Sequence, residues 1–375
     1  MLSRRLMLGG AAALAAGAAA RPALAKGLGV DAPGAAEARA VLQQLLAETR
    51  SPSMSAAVSF GGEVVWAEAF GVADLETRAP ATIAGRYRLA SVSKLIAGAT
   101  AARLAERGAI ELDWPLARYR PSLPKAHHET TLRQLLAHTG GVRHYIPRDY
   151  DPKAPGGPID YRPYNTTADA LAVFIDDPLV SVPGEEFNYS TFGYTLAGAV
   201  MESATGKSFP ELVAAEVSRP LGLASVLAES MTTVIPERVS CYQTQQATGQ
   251  LFKAPAINPA YKWAGGGYVA TAADIARFCS AFSAPGYLDP EMLRTVFRPV
   301  PPTRAPAPVQ VGMAWRMDRD GAGRLRAHHA GSIAGGRSIA MLLPEAGVSV
   351  VILSNLSDLP VDPLSPAQRI ADAFL

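Results

Sequence analysis

The strand-like stretches of this chain sit at its two ends. Residues 55–60 and 63–70, joined at Gly61-Gly62, carry a hairpin signal. Residues 311–317, 325–329, 338–343 and 348–354 form a second group of strand patterns. Between about residues 113 and 298, many Pro and Gly residues separate short helical patterns, clearest at 131–138, 168–175, 192–205 and 272–282. Further helices are expected over 35–48, 91–106 and 366–375. No repeat or low-complexity linker divides the chain. The economical solution is one sheet built from both ends, carrying a helical insertion. This predicts an α/β (α+β) fold: an antiparallel sheet flanked by helices, with the sheet region at about 26–112 plus 299–375 and a mainly helical region at about 113–298. A ligand cleft is expected between the two regions.

Residues 1–25 read as an address rather than as part of that unit. Arg4-Arg5 opens an Ala/Gly/Leu-rich run, and Ala23-Leu24-Ala25 supplies a small-x-small cleavage pattern. The paired arginines predict the twin-arginine route. Residues 26–375 are then a single exported unit, expected in the periplasm with no stable membrane span after cleavage. The leader also explains the apparent basicity. The formal net charge is +2, and without Arg4, Arg5 and Arg21 it falls to −1. No nucleic-acid footprint remains. Hydrophobic residues make up 49% of the chain and charged residues 18%, which excludes a disordered chain.

Two cysteines, Cys241 and Cys279, are present. Export permits a disulfide between them, but a buried thiol is the simpler expectation for each, since Cys279 lies in an amphipathic helical pattern. No CxxC or HExxH occurs. His127-His128-Glu129 reads as a solvated loop, because adjacent ligands point in different directions. Gly206-Lys207-Ser208 lacks the first glycine of a phosphate loop, and no G-x-S-x-G exists. No metal and no cofactor are expected.

Ser91-Val92-Ser93-Lys94 is an S-x-x-K sequence. On a helix, positions i and i+3 share a face, so the two side chains become neighbours. A serine hydroxyl needs a nearby base to become a nucleophile, and a lysine whose pKa is lowered by burial can be that base. A second match, Ser122-Leu123-Pro124-Lys125, has Pro121 and Pro124 against it as a helix.

The segment from Gly71-Val72-Ala73-Asp74 to Tyr87-Arg88-Leu89-Ala90-Ser91-Val92-Ser93-Lys94 resembles the entry to the active-site helix of the β-lactamase-related serine hydrolases. That family includes class C β-lactamases, D-Ala-D-Ala carboxypeptidases, D-aminopeptidases and β-lactamase-fold esterases. The resemblance continues in order through most of the chain. It takes in Gly108-Ala109-Ile110-Glu111-Leu112-Asp113, then Thr131-Leu132-Arg133-Gln134-Leu135-Leu136-Ala137-His138-Thr139-Gly140-Gly141. Pro183-Gly184, Tyr189-Ser190-Thr191-Phe192-Gly193-Tyr194 and Pro220-Leu221-Gly222-Leu223 follow. Ala264-Gly265-Gly266-Gly267, Gly312-Met313-Ala314-Trp315 and His329-Ala330-Gly331 complete it. It implies a β-lactamase/transpeptidase-like fold. It also implies that Ser91 is acylated, that Lys94 helps activate it, and that Tyr189 is general base or proton relay. His329 is implied at the third motif, able to hydrogen-bond toward Lys94, Tyr189 or substrate, with His328 the alternative if the strand register slips by one. The backbone amides of Ser91 and Ser332 are implied as the oxyanion hole, and Gly331 as a point of close substrate approach.

Two positions depart from the family pattern. Thr191 stands where Asn is frequent, and Ala330 where Thr is frequent. Both changes remove polar groups that β-lactams and peptides use at these substrate-binding positions. The expected activity is therefore an esterase-like or peptidase-like serine hydrolase acting on a small ester, amide or peptide. A β-lactamase is the alternative. A catalytically silent protein that binds cell-wall peptides is the alternative from another class.

Overall fold

A computed structural model describes residues 27–245, 247–357 and 364–375. The expected leader lies outside the described residues. No helix among the described residues is long and apolar enough to cross a membrane.

Among the described residues the main sheet has nine strands. Eight lie in one path: Gly27–Leu28, Glu63–Asp74, Ser53–Phe60, Val348–Ser354, Gly336–Leu343, Leu325–Ile333, Arg316–Arg319 and Gln310–Val311. Every neighbouring pair is antiparallel. Val348–Ser354 pairs with Ser53–Phe60 on one side and Gly336–Leu343 on the other, so the two groups of strands meet in mid-sheet. Gly61 and Gly62 both take positive φ, 59° and 98°. That backbone makes the tight turn between the first two long strands at no steric cost.

Alternation along the strands separates two faces. Met54, Ala56, Val58, Ile339, Met341, Leu343, Val348, Val350 and Ile352 form one aliphatic layer under the helices Ala35–Thr49 and Leu364–Ala373. The opposite face joins Ala57, Ala340, Leu342, Val351 and Leu353 to a larger core and mixes serines among them. Ser59 and Ser349 share a hydrogen bond at 2.9 Å, and both hydroxyls reach the Ala276 carbonyl, at 3.4 and 2.8 Å. These short side chains let the Ala272–Ser280 helix lie close on the sheet. Beyond it stand the helices Ser93–Glu106 and Thr191–Thr205, which are buried along most of their length.

Three local expectations are corrected. The strand expected over 311–317 is broken between Gln310–Val311 and Arg316–Arg319. Ala314 there has φ 71°, outside strand geometry, and its N–H turns to the Leu136 carbonyl at 3.2 Å. The strand expected over 325–329 extends to Ile333, because its partner Gly336–Leu343 continues to the turn. His127 is not in a solvated loop. Its side chain is buried, and Nε2–H donates to the Ile175 carbonyl at 2.9 Å. Cys279 is buried, Cys241 is half-buried, and both are free thiols.

Candidate active site

The segment leading to Ser91 is held on both sides. Tyr87–Arg88 pairs with Tyr268–Ala270, and the Leu89 N–H continues that ladder to the Tyr268 carbonyl at 2.9 Å. The Leu89 carbonyl accepts the Ser338 hydroxyl at 2.7 Å. Between these anchors and Ser91, Ala90 adopts φ 47°. A left-handed conformation at a residue with a side chain costs roughly 1 kcal/mol or more and persists only where the surroundings enforce it. Ala90 is buried against Ile257 and Ile333. Gly331 completes the seat: a Cβ there would stand 2.5 Å from the Leu89 carbonyl oxygen and 2.9 Å from the Ser91 nitrogen. The close approach that Gly331 permits is thus made to the turn carrying Ser91.

Ala90–Val92 forms a single 3-10 turn that runs directly into the Ser93–Glu106 helix. The expected neighbourhood of Ser91 and Lys94 survives this joint, with Lys94 Nζ donating to Ser91 Oγ at 3.2 Å. Tyr189, just before the Thr191–Thr205 helix, donates its hydroxyl to the same Oγ at 2.8 Å. Lys94 also donates to Thr191 Oγ1 at 3.1 Å and to the Gly265 carbonyl at 2.6 Å. Its side chain is fully buried. Burial drives the Lys94 ammonium below its ordinary range, and Arg316 adds repulsion, while Tyr189 opposes the fall. For the Tyr189 phenol, burial acts upward, but Lys94 and the Ser91 hydrogen bond outweigh it and the net direction is down. Both groups thus meet at the Ser91 hydroxyl with their pKa values drawn below the ordinary ones.

His329 lies on this side of the sheet, its ring 6.4 Å from that of Tyr189. It makes no hydrogen bond to Lys94 or Tyr189. Its Nδ1–H is spent on the Ala330 carbonyl at 2.7 Å, and Nε2 is buried without a protein partner. Burial and the Lys94 charge hold this imidazole neutral, well below the usual histidine range. His328 pairs across the sheet with Arg316, and its Nε2 lies 3.8 Å from Asp318. The register therefore puts His329 by Tyr189 and turns His328 away.

Ser91, Tyr189, Thr191, Ala330, Gly331 and Ser332 all border one cleft of about 280 Å³. The Ala330 methyl packs against the aliphatic layer of the far face, so this residue borders the cleft mainly through its backbone. Ser332 is exposed at the rim. Several groups were missed in the sequence. The His138 ring lies tilted against that of Tyr189, centroids 4.4 Å apart, and accepts the Ser190 N–H at 3.1 Å. His144 meets Tyr189 edge-on at 5.3 Å and is pushed down to about 4, by burial first and then by Lys94. The Arg316 guanidinium lies 5.4 Å from the Tyr189 ring centre. Lys262 borders the cleft, 3.4 Å from Asp160. His138 was inside a quoted motif, and Arg316 and Lys262 lie within two residues of quoted motifs. Among the described residues, no group of three or more His, Cys, Asp or Glu side chains is placed to hold a metal ion.

Comparison with known proteins agrees with this construction. The Beta-lactamase family model matches residues 38–374. The human mitochondrial serine beta-lactamase-like protein LACTB is 27% identical, over 90% of this chain and 79% of its own length. Esterase EstB of Burkholderia gladioli is 34% identical over 50% of each chain. The crystal structure of a D-stereospecific amidohydrolase from Streptomyces superposes with a TM-score of 0.74 at 23% identity, covering 90% of this chain and 97% of that one. The family match extends over nearly all the described elements, and this chain belongs to the Beta-lactamase family.

Proposed function

We propose that the chain is a serine hydrolase that opens an ester or amide through an acyl-enzyme on Ser91. The carrying observation is the convergence on Ser91 Oγ of a buried lysine at 3.2 Å and a tyrosine hydroxyl at 2.8 Å. Lys94 and Tyr189 together accept the Ser91 proton as Oγ bonds to the substrate carbonyl carbon. The Ser91 and Ser332 amides stabilise the resulting oxyanion. Collapse breaks the bond to the leaving alcohol or amine, which takes the proton from the Tyr189–Lys94 pair. Water then attacks the acyl-enzyme by the reverse route and releases the acid. His329, its ring 6.4 Å from that of Tyr189 and its Nε2 without a partner among the described residues, is a neutral group beside this centre.

An ester is the preferred substrate class. The Thr191 hydroxyl is already engaged by Lys94, and Ala330 offers no hydroxyl. EstB, an esterase, is among the relatives, and the Streptomyces neighbour, an amidohydrolase, leaves amides as the second class. The leader carried by Arg4-Arg5 and Ala23-Leu24-Ala25 supports export to the periplasm, which fractionation of the tagged full chain checks.

A panel of p-nitrophenyl esters, nitrocefin and a D-Ala-D-Ala peptide is the direct test, run beside Ser91→Ala. Ester turnover abolished by Ser91→Ala, with a fluorophosphonate adduct on Ser91 by intact mass, supports the reading. Full turnover by Ser91→Ala overturns it. Absence of both turnover and adduct favours the silent binding protein.

A further inference from the structure

A second cavity, of about 490 Å³, lies outside the catalytic cleft and shares no bordering residue with it. A small sheet joins the two. Its middle strand, Tyr268–Ala270, pairs on one edge with Tyr87–Arg88, the approach to Ser91. On the other edge it pairs with Leu227–Ala228, which borders the second cavity. Tyr268 belongs to both places. Its N–H donates to Ser93 Oγ at 3.2 Å and its carbonyl accepts the Leu89 N–H at 2.9 Å, while the residue also borders the cavity.

A volume in the range of roughly 300–1,000 Å³, apolar walls and a few polar groups are the marks of a small-molecule site. Here the walls are aliphatic, with Val213, Leu223, Val226 and Leu227 among them. Two bordering residues carry hydroxyls. Tyr268 is 2% exposed, and its hydroxyl and that of Ser218 are both buried with no partner among the described residues. Buried polar groups are nearly always paired, so two orphans on one cavity call for a ligand that completes them. The segment that carries Ser218 is also irregular. The helix Phe209–Val213 widens into a π-helical turn over Ala214–Ser218, which the Arg219 N–H closes on the Ala214 carbonyl at 3.1 Å. Such turns are frequent at functional sites. Arg219 is exposed and is the one charged residue on the border of the cavity. Its Nε–H goes to the Ala214 carbonyl at 3.2 Å, and it forms no ion pair among the described residues. The terminal nitrogens of the guanidinium are left for an anion.

We infer that this cavity binds a free medium-chain fatty acid. The aliphatic tail lies between Val213, Leu223, Val226 and Leu227, and the carboxylate accepts from Arg219, Ser218 and Tyr268. No Asp or Glu borders the cavity to repel that carboxylate. The site does not rest on the hydrolase reading, since occupancy needs no turnover. Through Tyr268 it adjoins Leu89 and Ser93, the residues on either side of the Ser91 turn.

Calorimetry of the full chain with decanoate, below its micelle concentration, is the test, with decanol as the uncharged partner. Decanoate should bind saturably, and decanol roughly tenfold or more weaker. Ala224→Trp, at an exposed position on the border of the cavity, should abolish binding of both. Arg219→Met should weaken decanoate roughly tenfold or more and leave decanol unchanged. Tyr268→Phe removes only the hydroxyl and should weaken decanoate about 3- to 10-fold. Ser332→Trp, at the exposed rim of the catalytic cleft, should change neither affinity. Decanoate should also raise the thermal midpoint of the wild type and of Ser332→Trp, but not that of Ala224→Trp, whose own melting curve checks that it is folded. Absence of saturable binding overturns the inference, and so does binding that survives Ala224→Trp. Binding lost in Ser332→Trp and kept in Ala224→Trp overturns it as well, by placing the acid in the catalytic cleft. Ester turnover without decanoate binding leaves the hydrolase reading standing alone, and decanoate binding without turnover leaves the fatty-acid site standing alone.

Discussion

The two faces of the sheet are made from the same strands, yet they solve different problems. Toward the helices Ala35–Thr49 and Leu364–Ala373, the strands present Met, Val, Ile and Leu. This layer needs only volume and apolar area, about 25 cal/mol per Å² buried. Toward the helical region the same strands present Leu342, Val351 and Leu353, but interrupt them with Ser59, Ser338, Ser349, His329 and Gly331. At the serine and glycine positions the side chains are short because other backbones come close there. Ser349 seats a helix, Ser338 and Gly331 seat the turn before Ser91, and His329 leaves an unpaired nitrogen at the centre. One face supplies stability, while the other gives some of it up to hold a strained, cation-rich site. The separation predicts that substitutions on the two faces fail in different measurements.

The largest effect belongs to the inner side. Lys94→Met should lower ester kcat/KM by at least about 1,000-fold. The thermal midpoint should hold or rise, because a buried amine is replaced by an apolar chain of similar length. An active Lys94→Met would break the comparison at its centre. On the outer face, Met341→Ala should cost about 2–5 kcal/mol by denaturant unfolding, with kcat/KM per folded molecule unchanged. A large activity loss there would show that the faces are coupled.

Acid should act through the inner side. His138 and His329 are fully buried and held neutral, while an unfolded histidine takes up a proton near pH 6.5. Unfolding therefore binds protons below that pH. Stability is complete above about pH 6.5 and falls as the pH drops, by up to about 1.4 kcal/mol per pH unit for each histidine. Melting curves between pH 7 and 5 should show this slope, and His329→Gln should flatten it. An unchanged slope in that variant would count against a buried neutral imidazole. The smallest effect is Ser349→Ala, about 1 kcal/mol for the lost bonds to Ser59 and Ala276. Ser349→Val should cost more, about 1–3 kcal/mol, because the helix above has no room for it. Equal costs would mean that the helix can retreat.

The difference between the faces also governs what could be read from the sequence. Strand positions 338–343 and 348–354 alternate or run apolar, and their strands came out nearly residue for residue. Ser91 with Lys94 was legible because i,i+3 spacing is local, and Tyr189 and His329 because each lies in a recognisable motif. His138 with His144, Arg316, Lys262 and Arg337 come from four segments that meet only in the folded chain. No periodicity brings them together. Arg316 was further hidden by the break at Ala314, where a positive φ interrupts what reads as a continuous strand. His127 was misread for the same kind of reason: its acceptor, the Ile175 carbonyl, is 48 residues away.

The place of the Val348–Ser354 strand bears on biosynthesis. A ribosome delivers Ser53–Phe60 early and the strand that must lie beside it only after the whole helical region. In the interval a nascent chain already carries Ser91 and Lys94 on their helix, but neither Ser338 nor Gly331 is available to seat the turn at Ala90. The incomplete molecule carries Ser91 without the cleft that surrounds it in the complete fold. Its hazard is the unpaired edge of Ser53–Phe60, an open template for other strands. A chain that stops short of residue 348 should accordingly be inert and prone to aggregate, rather than active and unspecific.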